Sequence, residues 1–238
     1  IKQRLAIEDL KRFNIKTLLI NDYAQITDIL ARIERQYRQR TIFISGSAEE
    51  YGAWTKSATE EFLRDLSRAL VQQGYRVATG VGLGVGDAVI TGAIEEIYCA
   101  RTGHIEDSLI MRPFPRANPD EAVRQRLWED YRQELISVAG ICLVVLGNKR
   151  VDGQIVSAGG VRREFEIACQ HKLNVVPIGA TGYMANEIWS EMSAALDTYY
   201  PDAKADLREK FARLGDSVEK PAELISRTLE FVGLITKE

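Results

Sequence analysis

From Thr41 onward, apolar residues gather into short unbroken runs, and between the runs they recur at helical spacing. TIFIS (41–45), YRVAT (75–79), DSLIM (107–111), ICLVVLG (141–147) and NVVPIG (174–179) are largely apolar throughout rather than alternating. Runs of that kind suit strands of a parallel sheet covered on both faces. The segments between them predict helices. Ser57-Ala58-Thr59-Glu60 has the spacing of a capping box; Phe62, Leu63, Leu66, Ala69 and Leu70 then share one stripe, and Gly74 ends it. Val89, Ile90, Ala93, Ile94 and Ile97 make a second stripe. Asn118-Pro119 predicts the opening of a third helix, with Val123, Leu127, Tyr131 and Leu135 at i+4 steps. Val161, Phe165 and Ala168 mark a fourth, YMANEIWSEMSAAL (183–196) a fifth, and PAELISRTLEFVGLI a last one from Pro221. This β–α repeat predicts an α/β fold: a Rossmann-like, doubly wound parallel sheet with helices on both faces.

The first 40 residues do not join the repeat. They read as helix, short strand, helix and a basic connector from Arg35 to Arg40. The expectation is that 1–40 is the C-terminal remnant of a preceding α/β domain and that 41–238 is the main domain. The chain starts at Ile1 rather than Met, as a piece of a longer protein would.

Composition narrows the chemistry. With 238 residues, 45% of them hydrophobic, the chain can bury one large core. A net charge of −3 gives no general attraction to nucleic acid or membrane, and no apolar run is long enough to span a bilayer. No signal peptide is visible. The three cysteines, Cys99, Cys142 and Cys169, are expected to be buried free thiols in a reducing compartment, which points to the cytoplasm. The two histidines, His104 and His171, stand apart from any cysteine pair, so neither a zinc site nor a Ser-His-Asp triad is expected.

Three small-residue loops follow three of the predicted strands: Ser45-Gly46-Ser47, the stretch GVGLGVG (80–86), and Ser157-Ala158-Gly159-Gly160 after a polar insertion. In an open parallel sheet all three lie beyond the carboxyl ends of the strands, where ligands bind. Bare amides at a helix N-terminus favour anions. One such loop reads more readily as a tight turn. Three together predict a nucleotide pocket, with the glycines of 80–86 admitting a phosphorylated ligand to the main chain. The G-x-G-x-x-G-like spacing from Gly80 and Gly82 fits loosely and follows the second strand rather than the first. The amides of Ser45, Gly46, Ser47, Gly82, Leu83, Gly84 and Gly86 are candidates for the pyrophosphate, with Gly159 and Gly160. Arg132 and Lys149 are the candidate cations, ranked above Arg162 and Arg163 by position. Glu164 and Glu166 lie in the first turns of the helix opened by Gly159-Gly160. A carboxylate there either accepts ribose hydroxyls or simply complements the helix dipole.

FISGSAEEYG (43–52), ATGVGLGVGDAVITGA (78–93) and SAGGVRREFEIA (157–168) resemble the three glycine motifs of the SLOG superfamily, Rossmann-like relatives of the Lonely-Guy enzymes. The likeness is nearest to the SLOG domain of Thoeris anti-phage effectors and covers Thr41 to about Gly179. The resemblance implies a regulatory sensor, itself non-catalytic, attached to a sirtuin-like NAD+-hydrolysing domain whose end would be the first 40 residues. It implies a cyclic ADP-ribose isomer (the 1″–3′ glycocyclic form) as signal, a TIR-domain protein as its source, and a homotetramer. By the same resemblance the ligand-contacting arginine falls on Arg132 in EDYRQEL, the lysine on Lys149 in LGNKR, and the glutamate on Glu164 in GGVRREFE. No cofactor, metal, nucleic acid or membrane is expected. The alternative is a Lonely-Guy-like nucleoside monophosphate phosphoribohydrolase using Glu164 or Glu166 as acid/base. Against it, the motif P-G-G-x-G-T-x-x-E of those enzymes is replaced by Ala158-Gly159-Gly160-Val161-Arg162-Arg163-Glu164-Phe165-Glu166, and their Arg-Lys pair by Arg132-Gln133.

Overall fold

The computed structural model describes residues 2–13, 17, 20, 22–100, 104–114, 120–201 and 203–236. The chain divides into two compact units, Ile1–Tyr37 and Arg38–Glu238. The first holds α1 (Lys2–Arg12) and most of α2 (Ala24–Gln39). The short strand expected between these helices falls largely outside the described residues. Helix α2 has an apolar side carrying Leu30, Ile33 and Tyr37, yet all three are exposed and the helix has no buried residue.

The second unit carries the strands β1 (Thr41–Ser47), β2 (Arg76–Thr79), β3 (Leu109–Met111), β4 (Ile141–Leu146), β5 (Asn148–Val151), β6 (Gln154–Ser157) and β7 (Asn174–Pro177). Its helices are α3 (Lys56–Gln72), α4 (Gly86–Ala100), α5 (Ile105–Ser108), α6 (Glu121–Ser137), α7 (Gly159–Gln170), α8 (Tyr183–Ala194), α9 (Leu196–Tyr199), α10 (Ala205–Ala212) and α11 (Pro221–Ile235). Five strands form one sheet in the order β3-β2-β1-β4-β7, and every pairing in it is parallel. The runs read as strands are therefore a sheet with covered faces: all six residues of β4 are buried, as are Ile42, Phe43 and Ile44 of β1. Winding proceeds outward from β1 to β3, then returns to β4 on the other side. The crevice beyond the carboxyl ends of β1 and β4 is thus the topological switch point.

Local chemistry moves several expected boundaries. The N-cap of α3 is Thr55, whose hydroxyl accepts from the Ala58 amide at 3.2 Å; Ser57 is already inside the helix. At its other end Gly74, at φ +83°, donates to Val71 O while Tyr75 donates to Leu70 O, the paired bonds of a Schellman motif. Of DSLIM only Leu109–Met111 is strand, because Asp107 caps back onto the His104 amide and completes a helical turn first. The start expected at Asn118-Pro119 lies outside the described residues. Helix α6 is capped by Asp120, whose carboxylate takes the amides of Ala122 and Val123. Its i+4 stripe is not buried throughout: Leu135 is, but Val123 and Leu127 are 44% and 43% exposed. The polar insertion after β4 is a hairpin of β5 and β6, turned by Asp152 and Gly153, both at positive φ. Among the cysteines Cys142 is buried and Cys169 half-buried, while Cys99 is exposed, contrary to expectation.

Candidate functional site

The loops after β1 and β2 are pressed backbone to backbone. The Ala48 amide donates to Leu83 O at 2.7 Å. A Cβ on Gly82 would collide with Gly46 O, and one on Gly84, at φ +68°, with Ala48 O. A Cβ on Gly46 would stand 2.6 Å from Val145 O, and one on Gly86 2.5 Å from Val81 Cα. Four glycines expected to make room for a ligand are thus needed first for the protein's own main chain. Val81, between them, sits at φ +56°, an uncommon place for a β-branched residue. Asn148, at the base of the hairpin, locks the outer part of the β1 loop. Its carboxamide accepts from the Glu49 and Glu50 amides at 2.8 and 2.9 Å and donates to Glu50 O at 2.7 Å.

The N-terminus of α7 differs. Ala158 cannot cap it, and the Gly159 and Gly160 amides have no hydrogen-bond partner among the described residues. A Cβ on Gly159 would meet nothing within 4 Å; one on Gly160 would meet only Nη2 of Arg132, at 3.1 Å. These free donors at the head of a twelve-residue helix face a cavity of about 1060 Å³ at the switch point.

Of the residues singled out in the sequence, Gly46, Ser47, Gly82, Leu83, Arg132, Lys149, Gly159, Gly160 and Glu164 line this cavity. Ser45, Gly84 and Gly86 do not. Ser45 is buried behind the wall, where its hydroxyl donates to Glu164 Oε2 at 2.5 Å. Lys149 extends from β5, exposed and with no carboxylate partner among the described residues. Arg132 is mostly buried: its Nε lies 3.5 Å from Glu164 Oε1, and its guanidinium carbon sits 5.1 Å from the Phe114 ring centre and 5.9 Å from that of Trp128.

Glu164 and Glu166 separate cleanly. Burial pushes the Glu164 carboxyl above its ordinary range, and the Ser45 hydroxyl and Arg132 pull it part of the way back. Glu166, two residues on and so across the helix, pairs with Arg162 at 3.6 Å and Arg163 at 2.9 Å and does not line the cavity. Arg163, ranked low from the sequence, does line it and forks onto Glu129, with Nε 3.2 and 3.0 Å from the two carboxylate oxygens. Those bonds hold the Glu129 carboxyl below its ordinary range.

Sequence reasoning missed one whole wall. Phe114 approaches Tyr131 and Trp128, with ring centres 5.4 and 6.2 Å away, and Gln125, Trp128, Glu129 and Arg132 all line the cavity from α6. Their i, i+3, i+4, i+7 spacing puts them on one helix face. Counting back from Arg132 would have found them. Phe114, between Pro113 and Pro115 with no period around it, left no such signal.

Known proteins are similar to this chain in sequence. An NAD(+) hydrolase ThsA from Bacillus cereus (strain MSX-D12) is 41% identical over 235 residues, covering 99% of this chain and 48% of the relative. Proteins of the same name from Acinetobacter baumannii (strain 532279) and Enterococcus faecium are 39% and 36% identical, over 99% and 98% of this chain and 50% and 47% of theirs. The chain spans about half the length of these curated relatives. Residues 25–235 match a single family throughout, and with its parallel sheet and switch-point cavity the chain belongs to the Sir2- and TIR-associating SLOG family.

Proposed function

We propose that this chain is the nucleotide-sensing part of an NAD+-hydrolysing anti-phage effector. Its ligand would be a cyclic ADP-ribose isomer, the 1″–3′ glycocyclic form, made by a TIR-domain protein. Residues 1–40 would be the end of the preceding sirtuin-like domain, and the sensor would work within a cytoplasmic homotetramer. The observation that carries this reading is the open cavity at the switch point, with two helix-end amides and one lysine on its rim that have no partner among the described residues. Such a site favours a diphosphate: the amides of Gly159 and Gly160 and the Lys149 ammonium supply charge, and Arg132 stands behind them. Glu164, already bonded to Ser45 and Arg132, is placed to accept a sugar hydroxyl.

Binding can drive activation only by its preference for the active arrangement of subunits over the resting one. Calorimetry with the cyclic nucleotide tests the pocket: Arg132→Ala and Lys149→Ala are expected to weaken binding at least about tenfold, the loss of roughly 1.4 kcal/mol. Unchanged affinity in both would refute the assignment. The Lonely-Guy-like alternative keeps one supporting feature, the raised carboxyl of Glu164, since a general acid needs such a shift. It loses Glu166, which is paired away from the cavity. Incubation with AMP is expected to release no adenine; release abolished by Glu164→Gln would establish hydrolysis instead.

A further inference from the structure

A cavity whose rim suits anions also has a carboxylate in its wall. Glu129, on α6, is held there by Arg163 of α7, and both side chains line the cavity. All three guanidinium nitrogens of Arg163 donate to carboxylates: Nε and Nη2 to Glu129, and Nη1 to Glu166 at 2.9 Å. Gln133 Nε2 adds a bond to Glu129 at 3.2 Å, and its own carbonyl oxygen lies 2.8 Å from His171 Nε2 at the far end of α7. Arg163 stands four residues after Gly159 and three after Gly160, which places it on the face of α7 that those glycines open. Exposure separates this ion pair from the other one between the two helices. Arg163 and Glu129 keep 34% and 36% of their side-chain surface exposed, against 13% and 10% for Arg132 and Glu164. A pair open to water is weakly held, because each charge is solvated when the two part. Of the two, Arg163–Glu129 is the one that an incoming anion can exchange.

We propose that Arg163 is a masked phosphate-binding residue, and that Glu129 occupies the guanidinium fork which a ligand phosphate takes on binding. The proposal rests on the nucleotide reading above and adds a third cation to Arg132 and Lys149. A phosphate presents paired oxygens as a carboxylate does, with more negative charge, so it displaces Glu129 from the fork and the carboxylate turns to solvent. Until then Glu129 lowers the apparent affinity, since only the fraction of molecules with the fork open can bind through it. The exchange also undoes one tie between α6 and α7, so an anion in the cavity acts on how the two helices are held together.

The test is calorimetry on the 238-residue chain with the 1″–3′ glycocyclic ADP-ribose and, separately, inorganic pyrophosphate. Glu129→Gln, which keeps the shape and removes the charge, is expected to tighten both ligands about fivefold. Arg163→Gln is expected to weaken both by a similar factor, and Arg163→Lys, which keeps a charge for the phosphate, to stay within about twofold of the wild type. In the Arg163→Gln background, adding Glu129→Gln is expected to gain less than about twofold, because no fork is left to unmask. Equal gains in the two backgrounds would overturn the masking and leave Glu129 as a simple repulsive charge. Affinity unchanged or weakened in Glu129→Gln would overturn it too, making the pair a tie between helices, and the nucleotide reading would stand. If Arg163→Gln fails to fold, Glu129→Gln decides alone, since a merely structural role does not tighten binding. A wild type that binds neither probe would remove the nucleotide reading itself and the role of Arg163 with it.

Discussion

The two glycine-rich rims of the cavity look alike in sequence and are unlike in structure. GVGLGVG, after β2, is packed against the loop after β1, with carbonyls of Gly46 and Ala48 standing where side chains of Gly82 and Gly84 would be. Gly159-Gly160, at the head of α7, has open space at the first glycine and only the tip of Arg132 at the second. Glycine at the first rim is a requirement of folding, whereas at the second nothing in the fold beyond the tip of Arg132 stands where a side chain would be. A glycine motif therefore marks close backbone approach without saying whether the visitor is a ligand or the chain itself.

The sharpest way to break this comparison is to add one methyl group at each rim. Gly82→Ala drives a Cβ into the Gly46 carbonyl, a backbone atom that cannot rotate away. The expected cost is about 3 kcal/mol, or a fall of roughly 6–12 °C in Tm for a domain of this size. A melting curve superimposable on the wild type would show that the loops part easily, and the distinction between the rims would go.

Asn148 offers a milder probe of the packed side. Alanine there leaves the Glu49 and Glu50 amides without their acceptor and frees the β1 loop from the hairpin base. About 2 kcal/mol is expected to be lost. Because Lys149 is the next residue, ligand affinity is expected to fall with stability, whereas Gly82→Ala acts on stability first. Thermal melts paired with ligand titrations separate the two, and an Asn148→Ala protein as stable as the wild type would discount the clamp.

The same contrast explains what was legible in the sequence. Buried parallel strands announce themselves because both faces must be apolar, and α11 begins at Pro221 as its residues predict. Lys149 and Glu164 were legible because one closely follows a strand end and the other a glycine pair, and Arg132 because it stands beside Tyr131, one step off the stripe of its helix. Less was readable where a feature depends on what packs from elsewhere. Val123 and Leu127 have helical spacing, yet they are 44% and 43% exposed. The hairpin was passed over as polar, although Asp152-Gly153 is a turn signal in its own right. Arg163 and Glu166 differ by three residues, and only the fold shows that one reaches the cavity while the other stays outside.

Two carboxyls in the cavity wall extend the comparison to charge, since they are shifted in opposite directions. Glu164, raised by burial, keeps its proton in the folded state at pH values where the unfolded chain has lost it. Its contribution is neutral at low pH and becomes a cost as pH rises from the ordinary carboxylate range through the raised folded value. Glu129, lowered by Arg163, behaves oppositely: it stabilises above the ordinary range, and that gain disappears as pH falls through the depressed value. Glu164→Gln is expected to flatten the loss of Tm as pH rises above the ordinary carboxylate range, without changing the acid limb. A wild-type-like slope in that window would mean that Ser45 and Arg132 fully offset the burial.

The smallest expected effect on stability is the most telling for function. Gly159 is the first residue of α7, and a Cβ on it would project into open space. Alanine costs less entropy to order than glycine, so Gly159→Ala should fold as well as the wild type, or better by up to about 0.5 kcal/mol. The added methyl nevertheless stands beside the unpartnered amides that face the cavity. If those amides hold a phosphate, the variant should melt like the wild type yet bind ADP-ribose roughly tenfold more weakly, a loss of about 1.4 kcal/mol. That combination, stability kept and affinity lost, is the opposite of what Gly82→Ala predicts. An unaltered titration would mean that the open rim is empty for a reason other than the ligand, and the difference between the two glycine loops would be one of packing alone.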